Sequence, residues 1–267
     1  MGKPRAPLDP VADLKVRLAR ESTQHGRALW YRRGSARLRG VPIARHPDVV
    51  KIRSCVRAWW AEHGLESCPT AVGKRIAVVL IEQPMIEHKL AGIVLLQDLL
   101  GTSLRSSDLA AFARLFAAGH LADVTVVDWF ITKVLVTLLD RLQGRRDVVR
   151  GLVAWRNAES MWQRRAACLA FLELAPHGDA ALAGLAEQIL TVCATVVWSP
   201  ERFDQTAVGI VLRELSRAAP DVVEAFFRRH ALLMSKECAR HAVAKYPAEQ
   251  RATLLAHHKR ATSLRIA

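Results

Sequence analysis

Apolar side chains return at every third or fourth position along most of this chain, and strict apolar-polar alternation never persists. The first spacing lines one face of an α-helix, whereas alternation marks a half-buried strand. No Asn-Gly or Asp-Gly dipeptide separates two β-branched runs, so hairpins are not signalled either. The periodicity therefore predicts an all-α fold. Val11, Leu14, Val16 and Leu18 open the first amphipathic segment, and Val49, Ile52, Val56 and Trp59/Trp60 line one face of the next. The pattern continues over Ala71 to Ile81, Glu87 to Leu100, Asp108 to Ala117, Val124 to Leu139, Ala158 to Leu172, Ala180 to Val196, Phe203 to Ala218 and Asp221 to His230.

Turn chemistry separates these segments: Gly101-Thr-Ser, Gly119-His120, Gly144-Arg-Arg, Pro176-His-Gly-Asp179, Ser199-Pro200 and Ala219-Pro220. About a dozen helices with short connections are expected. Segments opening near Glu87, Val124, Ala158 and Phe203 recur at intervals of very roughly 35 to 45 residues, the spacing of HEAT-type helix pairs. Stacked pairs bury a continuous core and leave a concave surface for an extended ligand. The favoured architecture is a solenoid of HEAT-like antiparallel helix pairs with a concave basic face; a non-repetitive helical bundle is the alternative. Residues 11–259 are expected to form a single repeat domain between a basic tail, 1–10, and a C-terminal tail, 260–267.

Charge narrows the partners. Lys and Arg number 39 against 25 Asp and Glu, a formal net charge of +14. Such an excess attracts polyanions or anionic membrane surfaces and argues against an ordinary acidic metabolic enzyme. The first ten residues lack the apolar core of a signal peptide, and no apolar run approaches the roughly 20 residues needed to span a bilayer. The five cysteines are scattered without a C-x-x-C pair, and His63 with Cys68 cannot assemble four convergent ligands. Expected, then, is a cytoplasmic monomer, nucleoid-associated if bacterial, with free thiols, no metal, no cofactor and no membrane partner.

The cations cluster. Arg32, Arg33, Arg37 and Arg39 follow Tyr31; Arg141, Arg145, Arg146 and Arg150 surround a glycine-centred loop; Arg164 and Arg165 follow Trp162; Arg228, Arg229 and His230 close a helix. Clusters of this kind can neutralise successive phosphates, although cations at helix C-termini also simply complement the helix dipole. Among the carboxylates, Asp128 sits within Val124-Thr-Val-Val-Asp128-Trp129-Phe130-Ile131, a stretch apolar enough to require a hydrogen bond or a cation for compensation. It can be a salt-bridged structural aspartate or a functional one. Glu214 reads as the partner of a nearby arginine. No Ser-His-Asp order, P-loop or dinucleotide-binding glycine fingerprint is present.

Gly209-Ile-Val-Leu-Arg-Glu-Leu-Ser-Arg-Ala-Ala-Pro-Asp-Val-Val223, followed by Ser235-Lys236-Glu-Cys-Ala239, is similar to the C-terminal signature of the AlkD-type DNA alkylation repair family. Trp162-Gln-Arg-Arg165-Ala-Ala and the Val127-Asp128 pair occur upstream in that family's order, and Tyr31 with Leu38-Arg-Gly-Val41 resembles its N-terminal helix and turn. The likeness spans roughly Asp13 to Lys259 and is most specific in the C-terminal third. It implies a HEAT-like solenoid whose concave face holds duplex DNA. It also implies a glycosylase removing cationic N3- or N7-alkylated purines without extruding the nucleotide into a pocket. By this resemblance Asp128 matches the catalytic aspartate and Arg165 an arginine beside the DNA backbone, with Arg164 as a neighbouring or carboxylate-pairing group. Tyr31, Arg145, Arg146, Arg213 and Lys236 complete the expected DNA contacts, and Trp162 reads mainly as packing.

The chain departs from the family where a cleft would be lined. Tryptophans a helical turn before the aspartate and just after the signature glycine are replaced by Val124 and Ile210, and Pro42 and Ile43 stand where the N-terminal turn usually offers polar groups. Aliphatic groups lack the electron-rich face that favours a cationic sugar. Three functions stay open: a DNA glycosylase using Asp128, a weak or inactive DNA-binding paralogue for distorted or branched DNA, and a HEAT-repeat protein scaffold.

Overall fold

The computed structural model describes residues 9–23, 48–141 and 143–263. Among the described residues there are fourteen α-helices and no β-strand. The chain divides into two compact units, one ending at Leu104 and the other beginning at Arg105. The boundary placed at 260 falls inside the last helix.

The first unit contains α1 (Pro10–Thr23), α2 (Val49–Glu62), α3 (Thr70–Glu82) and α4 (Ile86–Val94), which runs on through a π-helical turn, Leu95–Leu99. Asp48 caps α2 by accepting hydrogen bonds from the amides of Val50 and Lys51. The apolar stripe foreseen there is buried at Ile52, Val56, Trp59 and Trp60. The Trp59 indole donates to the Pro10 carbonyl at 2.8 Å, fastening α1 to α2. Beside it, Asp13 accepts from Arg17 at 2.8 Å and lies 2.9 Å from His63 Nε2. Gly92 lets α4 lie against α3: a Cβ there would stand 2.6 Å from the Ala77 carbonyl oxygen.

The second unit holds α5 (Leu109–Ala117), α6 (Val124–Phe130), a π-helical turn Ile131–Leu135, α7 (Val136–Leu139), α8 (Arg145–Ala154), α9 (Met161–Leu169), α10 (Leu185–Val196), α11 (Arg202–Leu215), α12 (Pro220–His230), α13 (Lys236–Ala242) and α14 (Ala248–Ser263). Two rows organise it. Helix α6 packs on α9, α9 on α11 and α11 on α13, while α8 packs on α10 and α10 on α12. The tightest approach, α11 against α13, depends on Gly209. A Cβ there would meet the Cys238 carbonyl oxygen at 2.5 Å and His241 Cβ at 2.8 Å, so the signature glycine is a packing requirement. Phe112 and Phe116 both meet Phe130 edge-on, at centroid distances of 5.2 and 5.9 Å. Each such fully buried ring stabilises the unit by about 2–3 kcal/mol.

Helix boundaries differ from the periodicity where special backbone intervenes. The segment expected from Ala180 begins at Leu185, because Gly184 takes a left-handed conformation, φ 78°, just before it. Gly144, also at φ 78°, does not head a loop of arginines; it precedes α8, whose first turn contains Arg145 and Arg146. The apolar signal of α8 is short, with only Val148, Val149 and Leu152 buried, and α14 buries only Leu254 and His258.

Candidate functional site

Helix α6 starts where the Asp123 carboxylate accepts hydrogen bonds from the amides of Thr125 (2.9 Å) and Val126 (3.2 Å). Its buried face is Val126, Val127 and Phe130. That phase leaves Val124 and Asp128, four residues apart, half-buried on a shared side of the helix. The apolar sequence around Asp128 therefore covers the core side of α6 and does not enclose the carboxylate.

Asp128 faces Arg165 of α9. Arg165 Nε donates to Oδ1 and Nη2 to Oδ2, both at 2.8 Å, in the parallel fork that suits a guanidinium to a carboxylate. The arginine side chain is 6% exposed and the aspartate 41%. A buried guanidinium must have its charge and its donors matched. Nη1 of Arg165 completes this by donating to the Phe203 carbonyl at 3.1 Å and to Thr206 Oγ1 at 3.3 Å, and its Cζ lies 5.7 Å from the centre of the Phe203 ring. Four hydrogen bonds thus occupy most of the five N–H donors that an arginine has. Arg165, expected beside a DNA phosphate, is instead spent on Asp128 and α11 in this structure.

The neighbouring arginine forms a second pair. Arg164 Nε and Nη2 donate to Asp204 Oδ2 at 2.8 and 2.7 Å, and Nη1 donates to the carbonyls of Ala158 and Glu159. Asp204 is fully buried, and burial pushes its carboxyl above the usual range while Arg164 works against that shift. Phe203, Asp204 and Thr206 therefore hold the two arginines from one end of α11. Gln205 holds two adjoining loops: its Nε2 donates to the Val197, Ser199 and Leu233 carbonyls and its Oε1 accepts from the Ser235 amide. Trp162 stacks on Phe203 with centroids 4.9 Å apart. None of these four consecutive α11 residues was singled out for function in the sequence, where Phe203 marked only the opening of a helix. The available signal was three polar residues in a row before an apolar helical face.

Ile210 lies one turn beyond Thr206 on the stripe of α11 that carries Phe203, and it is half-buried. The other expected contacts divide. Arg213 is occupied by Glu214 at 2.7 Å, as the sequence suggested for that glutamate. Arg145 donates to the carbonyls of Leu139, Asp140 and Ala181, tying α8 to its surroundings. Arg146 and Lys236 are exposed. Tyr31, Pro42 and Ile43 lie outside the described residues, as do Arg32, Arg33, Arg37 and Arg39.

Chemically, the site offers one rigid carboxylate, half open to solvent and backed by a buried cation. Among the described residues no group of three or more His, Cys, Asp or Glu side chains is placed to hold a metal ion. A fixed anion of this kind can stabilise positive charge developing beside it and can orient a water. The family model for DNA alkylation repair enzymes matches residues 31–246, a span that includes both carboxylates and both arginines. The chain belongs to the DNA alkylation repair enzyme family. Its fold also resembles a solved structure described as a predicted DNA alkylation repair enzyme from Enterococcus faecalis, with a TM-score of 0.61 and 16% identity. That match covers 90% of this chain and 95% of the other. No curated protein matches the chain. No helix among the described residues of this family member is long and apolar enough to cross a membrane.

Proposed function

We propose that this member of the DNA alkylation repair enzyme family is a DNA glycosylase that hydrolyses the N-glycosidic bond of cationic N3- or N7-alkylated purines in duplex DNA, without drawing the nucleotide into a pocket. The observation that carries this is the Asp128–Arg165 pair, in which a buried guanidinium fixes a carboxylate that stays open to solvent. An alkylated purine already carries positive charge, so it leaves as a neutral base when the C1′–N bond breaks and takes the bonding electrons. Positive charge then passes to the deoxyribose. A preorganised anion beside that sugar lowers the barrier, and such electrostatic terms are typically worth about 100- to 1,000-fold in rate. Water adds at C1′ and releases its proton, leaving an abasic sugar. Asp128 stabilises the sugar cation and orients that water, and Arg165 positions Asp128.

The rows α6–α9–α11–α13 and α8–α10–α12 support reading the second unit as stacked HEAT-like pairs. On that reading the duplex lies on a concave basic face, with Arg146 and Lys236 among the cations free to meet phosphates. The aliphatic Val124 and Ile210 favour a second reading, a DNA-binding paralogue with little glycosylase activity. A base-release assay on methylated duplex DNA, with wild type and Asp128→Asn in parallel, separates the two. The glycosylase releases N3- or N7-alkylpurine, and Asp128→Asn loses release while retaining binding. No release at high enzyme excess would overturn the proposal and leave the binding reading.

A further inference from the structure

Trp198 is 70% exposed, an unusual position for an indole, whose large apolar body is ordinarily covered. It lies in the connection between α10 and α11, directly before the residues that hold Arg164 and Arg165. Leu232, 44% exposed, lies in the connection between α12 and α13. One buried side chain fixes both connections. The Gln205 amide donates to the carbonyls of Val197 (2.7 Å) and Ser199 (3.0 Å), which flank Trp198. It also donates to Leu233 and accepts from the Ser235 amide (2.9 Å), just beyond Leu232. A buried amide with all its hydrogen bonds spent on two surface turns makes them rigid platforms. The cations Arg229 and Lys236 are exposed on or next to the same two connections, while Arg202 is paired with the Glu237 carboxylate at 2.8 and 2.9 Å. Glu201 is also exposed there.

We infer that this edge is a duplex-DNA wedge in which Trp198, supported by Leu232, enters the groove and packs against a partly unstacked base step while the flanking cations meet phosphates. The inference rests on the glycosylase reading for its ligand and adds to it a way of presenting the lesion. Apolar side chains inserted at a base step kink the duplex, and the bent duplex contacts more protein. An enzyme that leaves the damaged nucleotide in the helix still has to bring its deoxyribose up to Asp128. A kink held from α11, the helix that also holds Arg165, does so. The net charge of +14 and the mixed apolar and cationic character of the edge favour DNA over a protein partner.

The test is a set of fluorescence-anisotropy titrations of full-length protein on a duplex containing a tetrahydrofuran abasic analogue, at several salt concentrations. Trp198→Ala is expected to weaken binding about tenfold, within the range found for loss of a base-stacking aromatic. Its affinity loss should exceed what the change in slope of log affinity against log salt accounts for, because the apolar contact itself releases no counterions. Trp198→Phe should recover most of the loss. Lys236→Ala should instead lower the salt slope by about one. With 2-aminopurine walked along the strand, wild type should brighten one step near the analogue and Trp198→Ala should not. Should Trp198→Ala melt earlier than wild type, the Trp198→Phe and 2-aminopurine measurements decide. Equal affinity of wild type and Trp198→Ala, or no 2-aminopurine signal with wild type, overturns the wedge. Base release by wild type alongside such a result leaves the glycosylase standing. A Trp198-dependent signal without base release removes the glycosylase and keeps the wedge.

Discussion

Arg165 and Asp128 share two parallel hydrogen bonds of 2.8 Å across the solvent boundary, the guanidinium 6% exposed and the carboxylate 41%. An ion pair exposed at both ends contributes little to stability, and one buried at both ends has no open face for a ligand. This asymmetric pair avoids both limits. Its buried half is anchored to α11 through Phe203 and Thr206, so the exposed half can hold its position when charge appears beside it.

Asp128→Asn keeps the shape and removes the charge. Base release should fall about 100-fold or more, with duplex affinity close to wild type. The variant leaves the buried guanidinium facing a neutral amide, at a cost of about 1 kcal/mol once the exposure of Asp128 is allowed for. That corresponds to a melting temperature lower by about 2–4 °C. A single-turnover release assay and a thermal melt check the two parts separately. Equal release by the two proteins would remove Asp128 from the chemistry.

On the proposed function Arg165 acts through Asp128, and the kinetics should reveal it. Arg165→Lys retains a cation and loses the fork, so kcat should drop about tenfold, the equivalent of one charge-assisted hydrogen bond. KM should move little. The double variant Asp128→Asn/Arg165→Lys should be no slower than Asp128→Asn alone, because residues acting as a unit are not additive. A KM effect larger than the kcat effect, surviving in the Asp128→Asn background, would instead place Arg165 on the DNA.

The helical class and the glycine at 209 were legible in the sequence for different reasons. Periodicity reports burial directly, and the repeat openings near Glu87, Val124, Ala158 and Phe203 correspond to α4, α6, α9 and α11. Gly209 was visible only as part of a resemblance; its cause, the approach of the Cys238 backbone, involves a residue 29 positions away. Asp128 stood out as a carboxylate in an apolar run, yet which cation compensates it depends on α6 meeting α9. Adjacent arginines 164 and 165 look alike in sequence. Their partners, Asp204 and Asp128, lie 40 and 37 residues away on opposite sides along the chain, and only packing assigns them. Arg145 read as a phosphate-binding loop residue because nothing local announces that three carbonyls will surround it.

Val124 is half-buried one turn before Asp128, and Ile210 holds a comparable position on α11. Replacing either with tryptophan would put an electron-rich face toward a cationic sugar, an interaction of about 0.5–2 kcal/mol. Val124→Trp should therefore raise the base-release rate by about 2- to 30-fold, and Ile210→Trp by a similar factor. The comparison is made at saturating enzyme, so that binding does not enter. No gain from either variant would show that these positions do not face the reacting sugar.

Gly209→Ala tests the packing of α11 against α13. In an open helix this substitution is favourable by about 1 kcal/mol. Here the new methyl would lie 2.5 Å from the Cys238 carbonyl oxygen and 3.0 Å from its Cα, atoms of the backbone that cannot rotate away. Overpacking of this kind should cost about 2–3 kcal/mol. Denaturant unfolding should show a lower midpoint with little change in slope. A variant as stable as wild type would mean that α13 separates from α11 easily.

The first unit should carry an acid-labile contact between α1 and α2. The hydrogen bond with His63 holds the Asp13 carboxyl below the usual carboxylate range, with Arg17 adding to the effect against the opposing influence of burial. A carboxyl lowered in the folded state binds fewer protons there than in the unfolded chain. Its contribution is therefore present above the ordinary aspartate value of about 3.9 and is lost as pH falls from there through the depressed folded value. Wild type should melt above Asp13→Asn by a constant margin at neutral pH, and that margin should shrink steadily below about pH 4. Glu62 is lowered by Arg17 and titrates over a similar acidic range, so the wild-type melting curve alone cannot isolate Asp13. The difference between the two proteins isolates Asp13 together with its coupling to Glu62, whose carboxyl Asp13 raises and with which it shares Arg17. A margin that stays constant down to the acid limit would show that the Asp13–His63 contact contributes no proton-linked stability to the joining of α1 and α2.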